Sequence, residues 1–289
     1  MKGRLEYLDG LRGVAALAVV VQHVFDHLEI YPPINLGRFG VLLFFFISGY
    51  VIPPTVDKPD FLRRRAFRLL PALWVSVAVM TALRLWLGQT VTPLGVVLNM
   101  AMIAWPFGVD YSTVYWTLTY ELGFYLFCLA LCAVGRLRDD RVLFGVALAL
   151  ALCGAAFDQA LFVYPVYMLA GMLLRNEARW LSTLCLAVLA ICAVLATAEF
   201  APPMKWGMLA PIPVFLAVLE LKPRTPRWLL YLGAISYSLY LFQEAVFLTI
   251  PRALPGYPVI TVAVAIGVAA LVYRFIELPF HRQGKLAPS

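Results

Sequence analysis

Residues Gly10 to Glu29 read GLRGVAALAVVVQHVFDHLE. The stretch is as long as a membrane-crossing helix, which needs about 20 residues. It nevertheless carries Arg12, His23, Asp26 and His27, with Asp9 just before it. On a helix advancing by about 100° per residue, Asp9, Arg12, Asp26 and His27 fall within roughly 60° of His23. The opposite face is Ala, Leu and Val. Ionisable groups inside a bilayer are costly and face the interior of a helix bundle. The segment therefore predicts a buried helix with a polar stripe, one member of an all-α bundle in a membrane.

The rest of the chain agrees. Of 289 residues, 63% are hydrophobic and 13% are charged, against roughly half and a quarter in ordinary globular proteins. A mean hydropathy of +0.85 leaves no stretch for a sizeable soluble domain, and the expected organisation is one integral membrane domain over 1–289. The net charge of +7 reports membrane orientation, and no basic run interleaved with aromatics suggests nucleic acid. Cys128, Cys132, Cys153, Cys185 and Cys192 all lie in apolar segments and read as small core residues. His23, His27 and His281 lack a cluster of partners, so no metal is expected. The first apolar segment follows Lys2 and Arg4 as a signal peptide would, but its charges mark it as an uncleaved first span.

Hydropathy places spans at about 10–29, 37–55, 69–88, 113–135, 141–157, 161–175, 181–198, 206–220, 228–249 and 257–277. A further apolar stretch, 93–107, is bracketed by Pro93 and Pro106. With ten spans and the N-terminus inside, only Arg38, Arg84, Lys205 and Arg252 of the 23 Lys and Arg fall outside. If 93–107 crossed, every later basic loop would move outside. The positive-inside rule therefore makes 93–107 re-entrant or interfacial and puts both termini in the cytoplasm. Neither an internal repeat nor the inverted symmetry common in transporters is visible.

Counting rise at about 1.5 Å per residue gathers the polar residues into two layers. His23, Glu121, Tyr240, Gln243 and Glu244, with Ser48 slightly deeper, share the outer half. Asp9, Arg12, Arg65, Arg68, Arg274 and Glu277 share the inner face. Trp116 and Tyr120 fit either a site or the aromatic belt, and Trp86, Trp105 and Trp206 read as belt. For Arg63, Arg64, Arg65 and Arg68, topogenic charge competes with anion binding. Arg68 opens a span rather than sitting in a free loop, which favours the second.

These residues sit in strings that resemble the membrane acyltransferase-3 family. They are LEYLDGLRG (Leu5–Gly13) running to His23, FFFISGYVI (Phe44–Ile52), and FLRRRAFRLLPALW (Phe61–Trp74). WTLTYELGFYL (Trp116–Leu126), LGAISYSLYLFQ (Leu232–Gln243) and YRFIELPFHR (Tyr273–Arg282) follow in the family's order. The resemblance implies a bacterial inner-membrane bundle that moves an acyl group, chiefly acetyl, from cytoplasmic acyl-CoA to a hydroxyl. The acceptor would be a glycan or glycolipid at the outer side. It implies His23 as the essential histidine, with Glu121 and Asp9 as catalytic carboxylates, and Arg12, Arg65 and Arg68 at the donor. Ser48, Trp116, Tyr120, Tyr240 and Gln243 become acceptor-side or supporting residues. Acyl-CoA is then a substrate, no permanently bound cofactor is implied, and membrane lipids are partners. Monomer and homodimer stay open. The LYL string is commonly followed two residues on by histidine, where this chain has Gln243.

The layers suit that chemistry. Arginines bind the donor's phosphates bidentately, and a hydroxyl nucleophile needs a base at hydrogen-bond distance. His23 could deprotonate the acceptor, oriented by Glu121 or Asp26, or carry the acyl group itself. A proton-coupled transporter of a small solute is the alternative that intramembrane His, Glu and Arg also fit. A membrane sensor or scaffold leaves the stripe unexplained.

Overall fold

The structure, a computed structural model, describes residues 5–157, 160–177, 179–195 and 202–286. Lys2 and Arg4, used above for orientation, lie outside them. The fold is about 80% helix, with no strand among the described residues. In order the helices are α1 (Glu6–His27), α2 (Leu36–Val51), α3 (Phe61–Trp86), α4 (Pro93–Met100), α5 (Trp116–Ala133), α6 (Asp140–Phe157) and α7 (Ala160–Arg175). Then come α8 (Arg179–Leu195), α9 (Pro202–Leu209), α10 (Pro211–Leu221), α11 (Arg227–Thr249), α12 (Tyr257–Val272) and α13 (Leu278–Leu286). Between α12 and α13 the chain makes a π-helical segment, Tyr273–Glu277.

Among the described residues, six segments are long and apolar enough to cross a membrane: Glu6–His27, Phe61–Trp86, Trp116–Ala133, Asp140–Phe157, Pro202–Leu221 and Tyr257–Gly284. Leu36–Val51, Leu161–Arg175 and Trp180–Ile191 are apolar but shorter. Helix α11 has 23 residues, but Arg227, Gln243 and Glu244 dilute its hydropathy. The architecture is thus an all-helical membrane bundle with six candidate spans by length and hydropathy among the described residues. Within 93–107 only the eight residues of α4 are α-helical, a rise of about 12 Å. A helix that short cannot cross a core of about 30 Å. The chain then turns at Met102, where φ is 63°, into a short 3-10 turn at Trp105–Phe107.

The chain divides into two compact units. One comprises 1–25, 30–57 and 124–234; the other comprises 26–29, 58–123 and 235–289.

In the first unit small residues set the packing. Gly49 of α2 and Gly171 of α7 lie so close to the facing backbone, at Met168 O and Phe46 O, that a Cβ on either would force the helices apart. Gly40 meets Ala15 O in the same way, and a Cβ on Gly13 would stand 2.8 Å from Leu229 O. Inside a bilayer apolar side chains gain little by leaving lipid, so close backbone approach and van der Waals contact carry helix association. Phe46 stacks on Phe215 at 4.8 Å between ring centres and meets Tyr167 edge-on at 5.1 Å. The Tyr167 hydroxyl donates to Met208 O at 2.6 Å.

The second unit is organised by the 235–249 part of α11. Tyr237, Tyr240, Leu241 and Glu244 recur at helical spacing, so one face carries all four. Tyr237 donates to Leu69 O of α3 at 3.0 Å, and Ser76 of α3 donates to Leu241 O at 3.0 Å. From another side of α11, Ser238 donates to Glu277 Oε2 at 2.8 Å. Glu277, on the π-helical segment, is buried. Helix α13 packs on α3, where a Cβ on Gly284 would stand 2.9 Å from the Phe67 Cβ.

Candidate active site

The first unit holds Asp9, Arg12, His23 and Ser48, and the second holds the other expected site residues. His23 is half-buried on α1 and engaged with its surroundings. Its neighbour Gln22 is buried and accepts the Leu36 N–H at 2.8 Å. Asn35 Oδ1 accepts the Arg38 N–H at 2.7 Å. Both bonds satisfy amides that the first turn of α2 would otherwise leave unpaired, and the Gln22 bond ties α2 to α1 beside His23. One end of α1 carries Asp9 and Arg12, whose ion pair is loose at 3.9 Å. Ser48 is half-buried on α2.

In the second unit the basic run of α3 resolves into distinct roles. Arg64 is exposed and held by Asp60 one turn earlier. The Arg63 guanidinium lies 5.8 Å from the Phe67 ring and that of Arg65 lies 5.5 Å from the Phe61 ring. Arg65 and Arg68 are three residues apart, hence on one face of α3. Both are half-buried, and Arg68 has no acid partner among the described residues.

The approach to α5 is fastened residue by residue. Glu244 Oε2 accepts the Ser112 hydroxyl at 2.5 Å, the Thr113 N–H at 2.6 Å and the Thr113 hydroxyl at 2.9 Å. The Tyr240 hydroxyl donates to Val114 O at 3.0 Å and lies 2.8 Å from Thr117 Oγ1. Tyr115 OH lies 2.6 Å from Ser76 Oγ. Asn99 of α4 donates to Val109 O at 2.8 Å and accepts the Tyr111 N–H at 3.1 Å. Between these last two residues sits Asp110, whose Oδ1 is buried without a described partner; burial pushes its carboxyl up to about 6. Tyr240 is therefore a tie to the start of α5. Glu244 is the functional residue whose role the sequence did not reveal. Its only sequence signal was a carboxylate at the depth of His23.

Glu244 makes a direct prediction. The Ser112 hydroxyl is buried and, left without its acceptor, costs about 1–3 kcal/mol, whereas Thr113 is exposed and its two donors can turn to solvent. Glu244→Ala should lower the unfolding midpoint by several degrees and slow turnover, because Trp116, Tyr120 and Glu121 follow the loosened segment. Glu244→Gln, which keeps an acceptor oxygen, should stay close to the wild-type midpoint. Equal midpoints for Glu244→Ala and wild type in detergent unfolding would remove the clamp.

The expected aromatics do come together. Trp116 meets Tyr120 edge-on at 5.7 Å between ring centres, and Trp105, a second ring partner of Tyr120, lies 5.5 Å from it. Trp105, read from sequence as belt, thus packs on a site residue, while Trp86 and Trp206 are largely exposed. Glu121 is half-buried one residue beyond Tyr120 and is engaged with its surroundings.

Gln243 is fully buried; its Nε2 donates to Tyr240 O at 3.2 Å, and its Oε1 has no described partner. A buried acceptor without a donor costs about 1–3 kcal/mol, so Gln243→Leu should raise the unfolding midpoint while lowering turnover if a hydroxyl or water donates there during the reaction. Gln243→His, which keeps an acceptor nitrogen, should retain much of the rate. Full activity in Gln243→Leu would make the amide idle.

Among the described residues no three His, Cys, Asp or Glu side chains gather closely enough to hold a metal. Cys128, Cys132, Cys153 and Cys185 form no disulfide among the described residues, and the Cys192 side chain lies outside the described ones.

Comparison with known proteins supplies what the geometry alone does not. A family model for the acyltransferase domain, acyltransferase-3, matches residues 5–275. Nodulation protein 10 of Rhizobium leguminosarum bv. viciae is 31% identical over 158 residues, 43% of each chain. A putative peptidoglycan O-acetyltransferase, YrhL, of Bacillus subtilis (strain 168) is 26% identical over 96% of this chain and 55% of its own. A putative membrane-bound transacylase, BcsY, of Komagataeibacter xylinus is 27% identical over 84% of this chain and 72% of its own. The chain spans about half the length of the first two relatives. No solved structure matches it. With a family match that covers nearly the whole chain, the protein belongs to the acyltransferase-3 family of membrane acyltransferases.

Proposed function

We propose that the chain is a membrane O-acyltransferase that moves an acetyl group from cytoplasmic acetyl-CoA to a hydroxyl of a glycan or glycolipid at the outer side. The observation that carries this reading is the state of α3. Arg65 and Arg68 present two half-buried guanidiniums on one face, and Arg68 has no described acid partner, while the adjacent Arg64 is taken by Asp60. Such a pair suits a polyphosphate donor, since guanidinium forks match phosphate oxygens in pairs. A transporter of a small solute has less use for it. The resemblance gives Arg12 the same donor role.

His23 acts as the base. The acceptor hydroxyl loses its proton to the imidazole as its oxygen attacks the thioester carbonyl. The tetrahedral intermediate collapses, the carbon–sulfur bond breaks, and the CoA thiolate leaves and takes up the proton. In the covalent variant the imidazole attacks first, and the acceptor displaces the acyl group from it. The resemblance gives Glu121 the part of a catalytic carboxylate, the kind of group that stabilises an imidazolium in a triad. Asp9 positions Arg12. Ten spans with both termini in the cytoplasm, and a re-entrant or interfacial 93–107, complete the reading.

Purified protein incubated with labelled acetyl-CoA and a mixture of cell-envelope glycans should release CoA and label the glycan fraction. Solute uptake into proteoliposomes with no CoA release would overturn the reading in favour of the transporter.

A further inference from the structure

Arg175 is the last residue of α7, and its guanidinium carbon lies 4.9 Å from the centre of the Tyr50 ring. Tyr50, near the end of α2, is hydrogen-bonded through its hydroxyl to Tyr7 at the start of α1. All three residues belong to the first unit, and they lie at the end of α1 that carries Asp9 and Arg12. The arrangement follows from the backbone. Gly49 precedes Tyr50 and Gly171 lies one turn before Arg175, and these two glycines bring α2 and α7 into contact. That close crossing seats the guanidinium over the phenol.

Arg175 is half-buried and has no acid partner among the described residues. Asp140 accepts the side-chain amide of Asn176, next to Arg175, at 2.8 Å. Glu177 is exposed. A cation at the C-terminal end of a helix favours the helix dipole, and a basic residue at a span end helps set orientation. Those two roles account for the charge. They do not account for two phenols gathered around it. In a hydrogen-bonded phenol pair one hydroxyl donates to the other, and the accepting phenol keeps its own O–H for a third partner. Stacking on Tyr50 occupies one face of the guanidinium and leaves its N–H edge. The cluster therefore offers a charged fork and a phenolic donor with no counter-anion of its own. A phosphate ester, with several acceptor oxygens and one to two negative charges, matches that offer.

We propose that Arg175, Tyr50 and Tyr7 form a phosphate-binding subsite at the Asp9–Arg12 end of the first unit. Two sources supply such a group at an inner membrane face. One is a phosphate of the acyl-CoA donor, and this arm rests on the proposed function. The other is an anionic phospholipid headgroup.

The experiment uses the full chain in nanodiscs, with Arg175→Ala, Arg175→Lys and Tyr50→Phe beside wild type. Acetyl-CoA and 3′-dephospho-acetyl-CoA are the donors, and the discs contain phosphatidylcholine with or without phosphatidylglycerol. If the subsite holds a donor phosphate, Arg175→Ala raises KM for acetyl-CoA about tenfold, as loss of one charged hydrogen-bond partner does. It does so in phosphatidylcholine alone, with kcat within about twofold. Arg175→Lys recovers part of the loss, since it restores charge without the fork. A wild-type preference for acetyl-CoA over the dephospho donor that vanishes in Arg175→Ala assigns the 3′-phosphate; an equal KM rise for both donors assigns the pyrophosphate. If the subsite holds a lipid, KM is unchanged, and phosphatidylglycerol raises the unfolding midpoint of wild type but not of Arg175→Ala. Tyr50→Phe keeps the ring and removes its hydroxyl, so it tests the subsite in a fold with unchanged packing, and it should weaken the same readout severalfold. Unchanged KM together with an unchanged phosphatidylglycerol effect in both Arg175→Ala and Tyr50→Phe would overturn the subsite and leave Arg175 as a helix-end charge. Should wild type fail to turn over acetyl-CoA, the proposed function falls, and the lipid arm alone decides the subsite.

Discussion

His23→Ala should abolish acyl transfer while leaving the Kd for acyl-CoA within about threefold of wild type. General-base catalysis contributes about 10²–10⁴-fold, and the covalent route would lose the acyl carrier altogether. Donor affinity should survive if, as proposed, arginines rather than His23 make the phosphate contacts that dominate it. Glu121→Gln keeps size and hydrogen bonding but removes a charge, so it should slow turnover by roughly tenfold, less than His23→Ala. Acid quenching of enzyme and labelled acetyl-CoA without acceptor separates the two routes. Label retained on wild type and absent from His23→Ala identifies an acyl-histidine. A His23→Ala variant that still transfers acyl groups would end the assignment and revive the transporter.

The second large effect belongs to α3. A hydrogen-bonded charged partner contributes about 1.5–3 kcal/mol, so removal of two should weaken the donor by at least about a hundredfold. We expect that loss in Arg65→Ala/Arg68→Ala, measured as Kd for acetyl-CoA. Arg65→Lys/Arg68→Lys should recover only part, because an ammonium is a point charge where the phosphate meets a fork. Arg64→Ala should change Kd little, since Asp60 already holds that side chain. Equal donor affinity in wild type and the double Ala variant would reduce Arg65 and Arg68 to orientation signals.

Different parts of the molecule were legible to different degrees. The run from Gly10 to Glu29 announced both a membrane helix and its polar face, because hydropathy and helical period are local properties. The eight residues of α4 followed from the two prolines around 93–107 and from the charge balance of later loops. Hydropathy marks α11 less plainly. Helix α11 uses Ser238 and Glu244 for its ties, and such polar residues lower the hydropathy that would mark it as a span. Trp105 read as belt because its partner, Tyr120, is brought to it only by the turn after α4.

The sequence by itself determined that the chain is a helical membrane protein, which strings place it among acyltransferases, and which ionisable residues share a helix face. All three rest on spacing along one segment. Tertiary structure alone decided which of those groups are occupied by neighbours. Arg64 is taken by Asp60, and Arg68 has no acid partner among the described residues. Glu244 is the clamp on the start of α5. Tyr50 is the platform for Arg175, 125 positions away along the chain. The reason is physical: a hydrogen bond or a stacked ring acts over 3–6 Å, and which distant residues come that close depends on how glycine-sized gaps let whole helices approach.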